Sequence, residues 1–254
     1  MTSSSGSIPP PASASRDKPG VDADLGRLQR NTFSYFLHET NLANGLVIDK
    51  TAPHWPASIA ATGLGLAGHP VAVERGFITH DAAVKRVLTT LRFFWNSPQG
   101  TEPDATGYRG FYYHFLDMHT GRRVWQCELS TVDSAILLAG VLTASVYFDA
   151  DTADEQEIRR LADALYLRVD WQWAQNDGLT ITHGWKPESG FLPWRWEGYD
   201  EALLLYVLAL GSPPRPCPMD SYAGSASSYE CNPSCAFEYL SPGPLLPLPL
   251  PPAC

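Results

Sequence analysis

The chain has 254 residues and a formal net charge of −9, with 44% hydrophobic residues and eight Trp. That length holds one large domain or two small ones. The acidic balance argues against a nucleic-acid surface, which needs Lys and Arg to displace counterions, and no stretch approaches the roughly 18 apolar residues of a membrane span.

In chain order, residues 1–22 are rich in Ser, Pro and Gly and read as a disordered leader, because such a composition cannot bury a core. They contain no apolar h-region, which predicts a cytoplasmic location. Residues 24–39 place Leu25, Leu28, Thr32, Tyr35 and Phe36 on one helical face. Residues 57–68, "ASIAATGLGLAG", are small and apolar all round, as in a buried helix that tolerates close neighbours. Thr79 is placed to cap a helix over 80–95, with Val84, Val87, Leu88, Leu91 and Trp95 as its stripe. Residues 131–148 are again apolar nearly throughout. Thr152 and Glu155 form a capping box opening a helix that runs to about Trp173. A last helix is expected from about Tyr199 to Leu210, stopped by Gly211 and Pro213.

Aromatic stretches at 107–117, 122–130 and 181–199 separate these helices, and the first two pair as a hairpin around "MHTG". No strand–helix alternation is present, so the chain reads as mainly α with short β-hairpins in loops. Alternate inner and outer helices of an (α/α) toroid would give this pattern, since inner helices are covered on both sides. From Ser212 onward Pro, Ser and Cys dominate, and Pro at that density predicts neither helices nor a packed core. Cys127 stands apart from Cys217, Cys231, Cys235 and Cys254. The spacing suits neither a disulfide framework nor a zinc site, so no metal is expected.

Gly63, Gly65 and Gly68 spell G-x-G-x-x-G. A dinucleotide site needs a strand before the string and the glycines at a helix start. Here they fall within an apolar helix, where they admit close neighbours, and no cofactor is expected.

Two acidic clusters stand at helix entrances. In Ser130-Thr131-Val132-Asp133 the Asp fits a capping box. Glu128, two residues before the cap and among Trp125, Cys127 and Leu129, is placed for a raised pKa and an acid role. Asp200 and Glu201 sit in what reads as a first helical turn, where the macrodipole favours negative charge by a few tenths to about 1 kcal/mol. That explains one acid. It does not explain why Trp185, Trp194, Trp196 and Tyr199 crowd the same approach. Flat rings flanking carboxylates suit a sugar site, with two carboxyls working across the glycosidic bond.

The blocks "ASIAATGLGLAGHPVAVERGFIT", "LTTLRFFWNSPQG", "GYRGFYYHFLDMHTGRR", "CELSTVDSAILLAGVLTASVYFD", "IRRLADALYLRVDWQWAQ" and "YDEALLLYVLALGSP" together resemble the glycoamylase-like domain family of bacteria. That family includes endo-β-1,2-glucanases and the terminal domain of cyclic β-1,2-glucan synthases. The resemblance implies a six-hairpin (α/α) toroid over residues 23–213, with only its first half present, and a degenerate tail over 214–254, as in a truncated copy. It implies glycoside hydrolysis on an oligo- or polysaccharide of the β-1,2-glucan class, with essential glutamates matching Glu128 and Glu201. His114, Asp117, Asp133, Trp185 and Tyr199 are implied as substrate contacts. Which glutamate is the acid stays open, as does the oligomeric state. A non-catalytic carbohydrate-binding or partner-dependent fragment is the alternative.

Overall fold

A computed structural model describes residues 19–198 and 200–226. Leu25, Leu28 and Thr32 of α1 (Pro19–His38) are exposed, and the helix instead docks through Phe33 and Phe36. Of the face that sequence periodicity marked, Leu25, Leu28 and Thr32 are uncovered among the described residues, while Phe36 packs on α2. Strand β1 (Ala57–Ser58) leads directly into α2 (Ile59–Glu74), where the Ser58 hydroxyl accepts from the Ala61 N–H as N-cap. The two-residue strand was not expected, but the glycines lie well inside the helix and their role is packing. A Cβ at Gly63 would stand 2.5 Å from the Leu137 Cα, and one at Gly65 would stand 3.1 Å from the Phe36 ring. Thr79 caps α3 (His80–Asn96) as expected. Its buried stripe ends on Phe94 rather than Trp95, which is partly exposed under the Arg168 guanidinium.

Strands β2 (Gly107–Tyr108), β3 (Phe111–Tyr113), β4 (Phe115–Leu116) and β5 (Leu129–Ser130) precede α4 (Thr131–Tyr147). The hairpin around "MHTG" forms, with Leu116 opposite Arg123 and Tyr113 opposite Leu129. Helix α5 (Ala153–Leu167) opens on the Thr152 cap but stops short of Trp173. Asp170 accepts from the Trp173 N–H and starts a separate helix, α6 (Trp171–Ala174). Strands β6 (Gly184–Lys186) and β7 (Gly190–Phe191) follow, then α7 (Leu203–Gly211) and α8 (Asp220–Ala226). Helix α8 lies in the stretch where Pro density predicted none. Ser221 accepts from the Gln175 amide at 2.8 Å, and Cys217 just before α8 is buried. Cys127 and Cys217 are both free thiols. Cys231, Cys235, Cys254 and the other residues past Ala226 lie outside the described residues.

In chain order the long helices alternate, with α1, α3 and α5 each followed by an apolar helix, α2, α4 and α7. Helix α4 packs between α2 and α7 and is backed by α5, while α3 spans α2 and α5. The inner helices α2, α4 and α7 are apolar nearly all round, and the outer α3 and α5 carry one buried stripe each. This is the arrangement of half a six-hairpin (α/α) toroid. The tightest point is the α2–α4 crossing, where a Cβ at Gly140 would stand 2.0 Å from the Gly63 carbonyl oxygen. At one end of the hairpins the short strands join into an antiparallel sheet of order β2-β3-β5-β6-β7, with β1 pairing β4 beside it. No described helix is long and apolar enough to cross a membrane.

Candidate active site

The sheet delivers Glu128 to the entrance of α4. In strand pairing, side chains two residues apart share a face. Tyr113 lies opposite Leu129, and Leu129 opposite Trp185. The next positions, His114, Glu128 and Lys186, therefore share the other face. His114 donates its backbone N–H to the Glu128 carbonyl at 3.0 Å. Its Nδ1 lies 2.9 Å from Glu128 Oε1, and its Nε2 lies 3.7 Å from Asp133 Oδ2. Ser130 closes the cluster: its hydroxyl accepts from the Asp133 N–H as the α4 cap and donates to the Asp133 carboxylate. Asp133 thus fills the capping-box place and also faces His114.

The electrostatics follow from these contacts. The His114 hydrogen bond holds Glu128 below the usual carboxylate range, against the burial that would raise it, with Lys186 adding to the effect. Burial alone would lower His114, but the Glu128 hydrogen bond and the Asp133 and Glu128 charges outweigh it, and the imidazole is held above its ordinary value. The expected raised pKa for Glu128 is therefore corrected: its hydrogen bond with His114 favours the ionised carboxylate and moves its pKa down, not up. Gly184 keeps the space above it open, since a Cβ there would come 3.3 Å from Glu128 Cγ.

An aromatic wall adjoins the cluster. His114 stacks on Phe115 with centroids 3.9 Å apart, Phe115 meets Trp125, and Trp125 meets Trp55 edge-on at 4.9 Å. Trp55 donates its Nε1–H to Asp49, whose charge also reaches His114. Trp55 and Trp125 line a cleft of about 520 Å³ together with His54, Asp117 and His119. Sequence reasoning noted Trp125 beside Glu128 in "RRVWQCELS" but passed over Trp55, which lies 73 residues before Glu128 in the chain. Trp125 also has φ of +57°, a left-handed backbone that turns its ring outward from the strand run.

The other expected contacts fall in different places. Asp117 lines the cleft, but its Oδ1 accepts from the His119 and Thr120 N–H groups and the Thr120 hydroxyl, holding the hairpin turn. Those bonds, from Thr120 first, keep its carboxyl below the usual range. Trp185 is not beside Glu128. It takes the opposite face of the sheet and packs on Tyr108 and Trp173 at 5.1 and 5.9 Å. Tyr199 lies outside the described residues.

Glu201 also stands at a helix entrance, though not within a first turn: α7 begins at Leu203, and its N-cap, Ala202, offers no side-chain bond. Asp200 instead accepts from the Ala202 N–H. Glu201 is exposed and makes no hydrogen bond or ion pair among the described residues. Its charge and that of Asp200 reach His183, whose pKa burial lowers. His183 and Trp196, stacked at 3.9 Å, tie this rim to the first residue of α4. The His183 carbonyl accepts from the Thr131 N–H, and Trp196 Nε1 donates to the Thr131 hydroxyl. Glu201 is thus linked to the entrance of α4 through His183, whose carbonyl accepts from Thr131.

No family model matches the chain. It is 28% identical over 217 residues to an exo β-1,2-glucooligosaccharide sophorohydrolase (non-reducing end) of Parabacteroides distasonis, covering 81% of this chain and 29% of the relative. Among solved structures, a β-1,2-glucanase of Parabacteroides distasonis superposes with a TM-score of 0.74 at 25% identity, covering 81% of this chain and 30% of that one. A glucoamylase-like protein of Bacteroides uniformis superposes with a TM-score of 0.73 at 26% identity, covering 80% and 50%. The chain thus spans less than a third of the curated relative and about half of the Bacteroides uniformis protein. The resemblance carried by the sequence blocks holds: this chain is similar to the glycoamylase-like family in both sequence and fold.

Proposed function

We propose that the chain carries the active-site half of a glycoside hydrolase acting on β-glucans of the β-1,2 class. The observation that carries this reading is the Glu128–His114–Asp133 cluster beside the Trp55–Trp125 wall. Glycoside hydrolysis needs one carboxyl to protonate the departing oxygen and one carboxylate to attack the anomeric carbon or activate water. Glu128, held ionised by His114, suits the second role, and Glu201 takes the acid role from across the entrance of α4. The tryptophan faces supply apolar surface for pyranose rings. The similarity to proteins described as a sophorohydrolase and a β-1,2-glucanase supports the linkage class.

A second reading, saccharide binding without cleavage, is favoured by one observation: Glu201 is exposed and has no partner among the described residues. Incubation of the chain with linear β-1,2-glucan oligosaccharides separates the two. Hydrolysis predicts shortened products, and a loss of about 10³-fold or more in Glu128→Gln and in Glu201→Gln at unchanged melting temperature. Cleavage by Glu201→Gln at the wild-type rate overturns the two-carboxylate assignment. A melting temperature raised by the sugar without any products establishes binding alone.

A further inference from the structure

A second cavity, of about 300 Å³, opens between α2, α3 and the loop over residues 40–47. Its residues are not those of the Glu128 cluster. Leu42, Val47 and Leu66 form apolar walls, and His69 and Arg86 enter from α2 and α3. His69 is only 7% exposed. Its Nδ1 lies 2.6 Å from the Gly65 carbonyl oxygen, which can only accept, so Nδ1 carries the ring proton and donates. Burial lowers the His69 pKa to about 4, leaving the ring neutral at pH 7. Nε2 is then a bare acceptor, buried and without a hydrogen-bond partner among the described residues. The Arg86 Nη1 is likewise buried without a partner among them. No carboxylate lines the cavity, so no side chain there neutralises the guanidinium. The hydroxyl protons of Thr40, Thr89 and Thr90 are spent on helix carbonyls and cannot serve His69.

Two buried polar atoms left unmatched in one cavity, whose rim also carries the exposed Lys85 ammonium, are costly unless something completes them. Their requirements are opposite: Arg86 needs an anionic acceptor, and His69 needs a donor. The walls need an apolar body between. We propose that this cavity is a binding site for a small hydroxycarboxylate, its carboxylate on Arg86 and its hydroxyl donating to His69 Nε2. The site lies apart from the carboxylates assigned to glucan chemistry, so its test does not depend on that assignment.

The test is a titration of the full chain, labelled with ¹⁵N-histidine, against 4-hydroxybenzoate and 3-hydroxybutyrate. These probes separate carboxylate and hydroxyl by different lengths. The expected result is a saturable shift of the His69 Nε2 resonance with at least one of them. Matched compounds lacking one group (benzoate, phenol, butyrate) should bind at least about tenfold more weakly, because each leaves a buried group unpaired. Arg86→Gln should weaken the binding probe by at least about tenfold. Absence of a shift with either hydroxycarboxylate overturns the proposal and assigns both groups to water. So does equal binding of phenol or benzoate, or unchanged affinity in Arg86→Gln.

Discussion

The entrances of α4 and α7 both carry an acidic cluster, yet they are built differently. At α4, Ser130 caps the helix, Asp133 fills its first turn, His114 bridges Asp133 to Glu128, and the helix behind is covered by α2, α5 and α7. At α7 no side chain caps the helix, Glu201 is free of partners among the described residues, and Leu203, Leu204 and Val207 face solvent. One carboxylate is preorganised by its neighbours; the other is set by backbone position alone. Preorganised charge is where electrostatic catalysis gains most, so the α4 side fixes the geometry that the α7 side must meet.

The comparison can be broken most severely from behind. Gly140→Val drives a branched side chain into the Gly63 backbone at the α2–α4 crossing. It should cost about 3 kcal/mol or more, read as a lowered urea midpoint and a lost cooperative transition. The next largest effect is expected at Arg123. Its buried guanidinium pairs with Glu188 at 2.7 and 3.0 Å and donates to the Pro103 and Cys127 carbonyls, anchoring the loop that carries Trp125 to Glu128. Arg123→Met should cost about 2–3 kcal/mol by chemical denaturation.

A finer contrast comes from pH. Glu128 titrates below its ordinary 4.5 in the fold, so its contribution is present above that value and fades as pH falls through the folded pKa. His114 titrates above its ordinary 6.5, so its contribution is complete below 6.5 and fades as pH rises through the folded pKa. The pair therefore stabilises most between about 4.5 and 6.5. The melting temperature of wild type minus that of Glu128→Gln should peak in that window. The smallest effect belongs to the open face of α7: Val207→Lys should change stability by no more than about 0.5 kcal/mol, while the same substitution at buried Leu138 of α4 unfolds the protein.

The helices were legible because their caps and apolar composition are local signals. Thr79, Ser58, Ser130 and Thr152 each start a helix through their own side chain. The glycine string was legible as packing because no strand-to-helix turn places it at a helix start. The antiparallel sheet was not legible, since strands of two or three residues are too short to show an alternation, and their partners lie far apart in sequence. That is why the face Trp185 takes was not legible: spacing along the chain cannot tell which side of an unrecognised strand a ring occupies. The break before α6 was readable in Asp170, a capping residue inside an apparently continuous helix. The pairing of Glu128 with His114 was not, because they stand fourteen positions apart across a hairpin.

The pairing itself is open to direct observation by an NMR titration of the His114 ring in wild type and in Glu128→Gln. The structure predicts that His114 titrates above 6.5 in wild type and falls when the Glu128 carboxylate is removed, since burial then faces less opposing charge. A His114 pKa at or below 6.5 in wild type, or one unmoved by Glu128→Gln, would contradict an ionised Glu128 held at the entrance of α4.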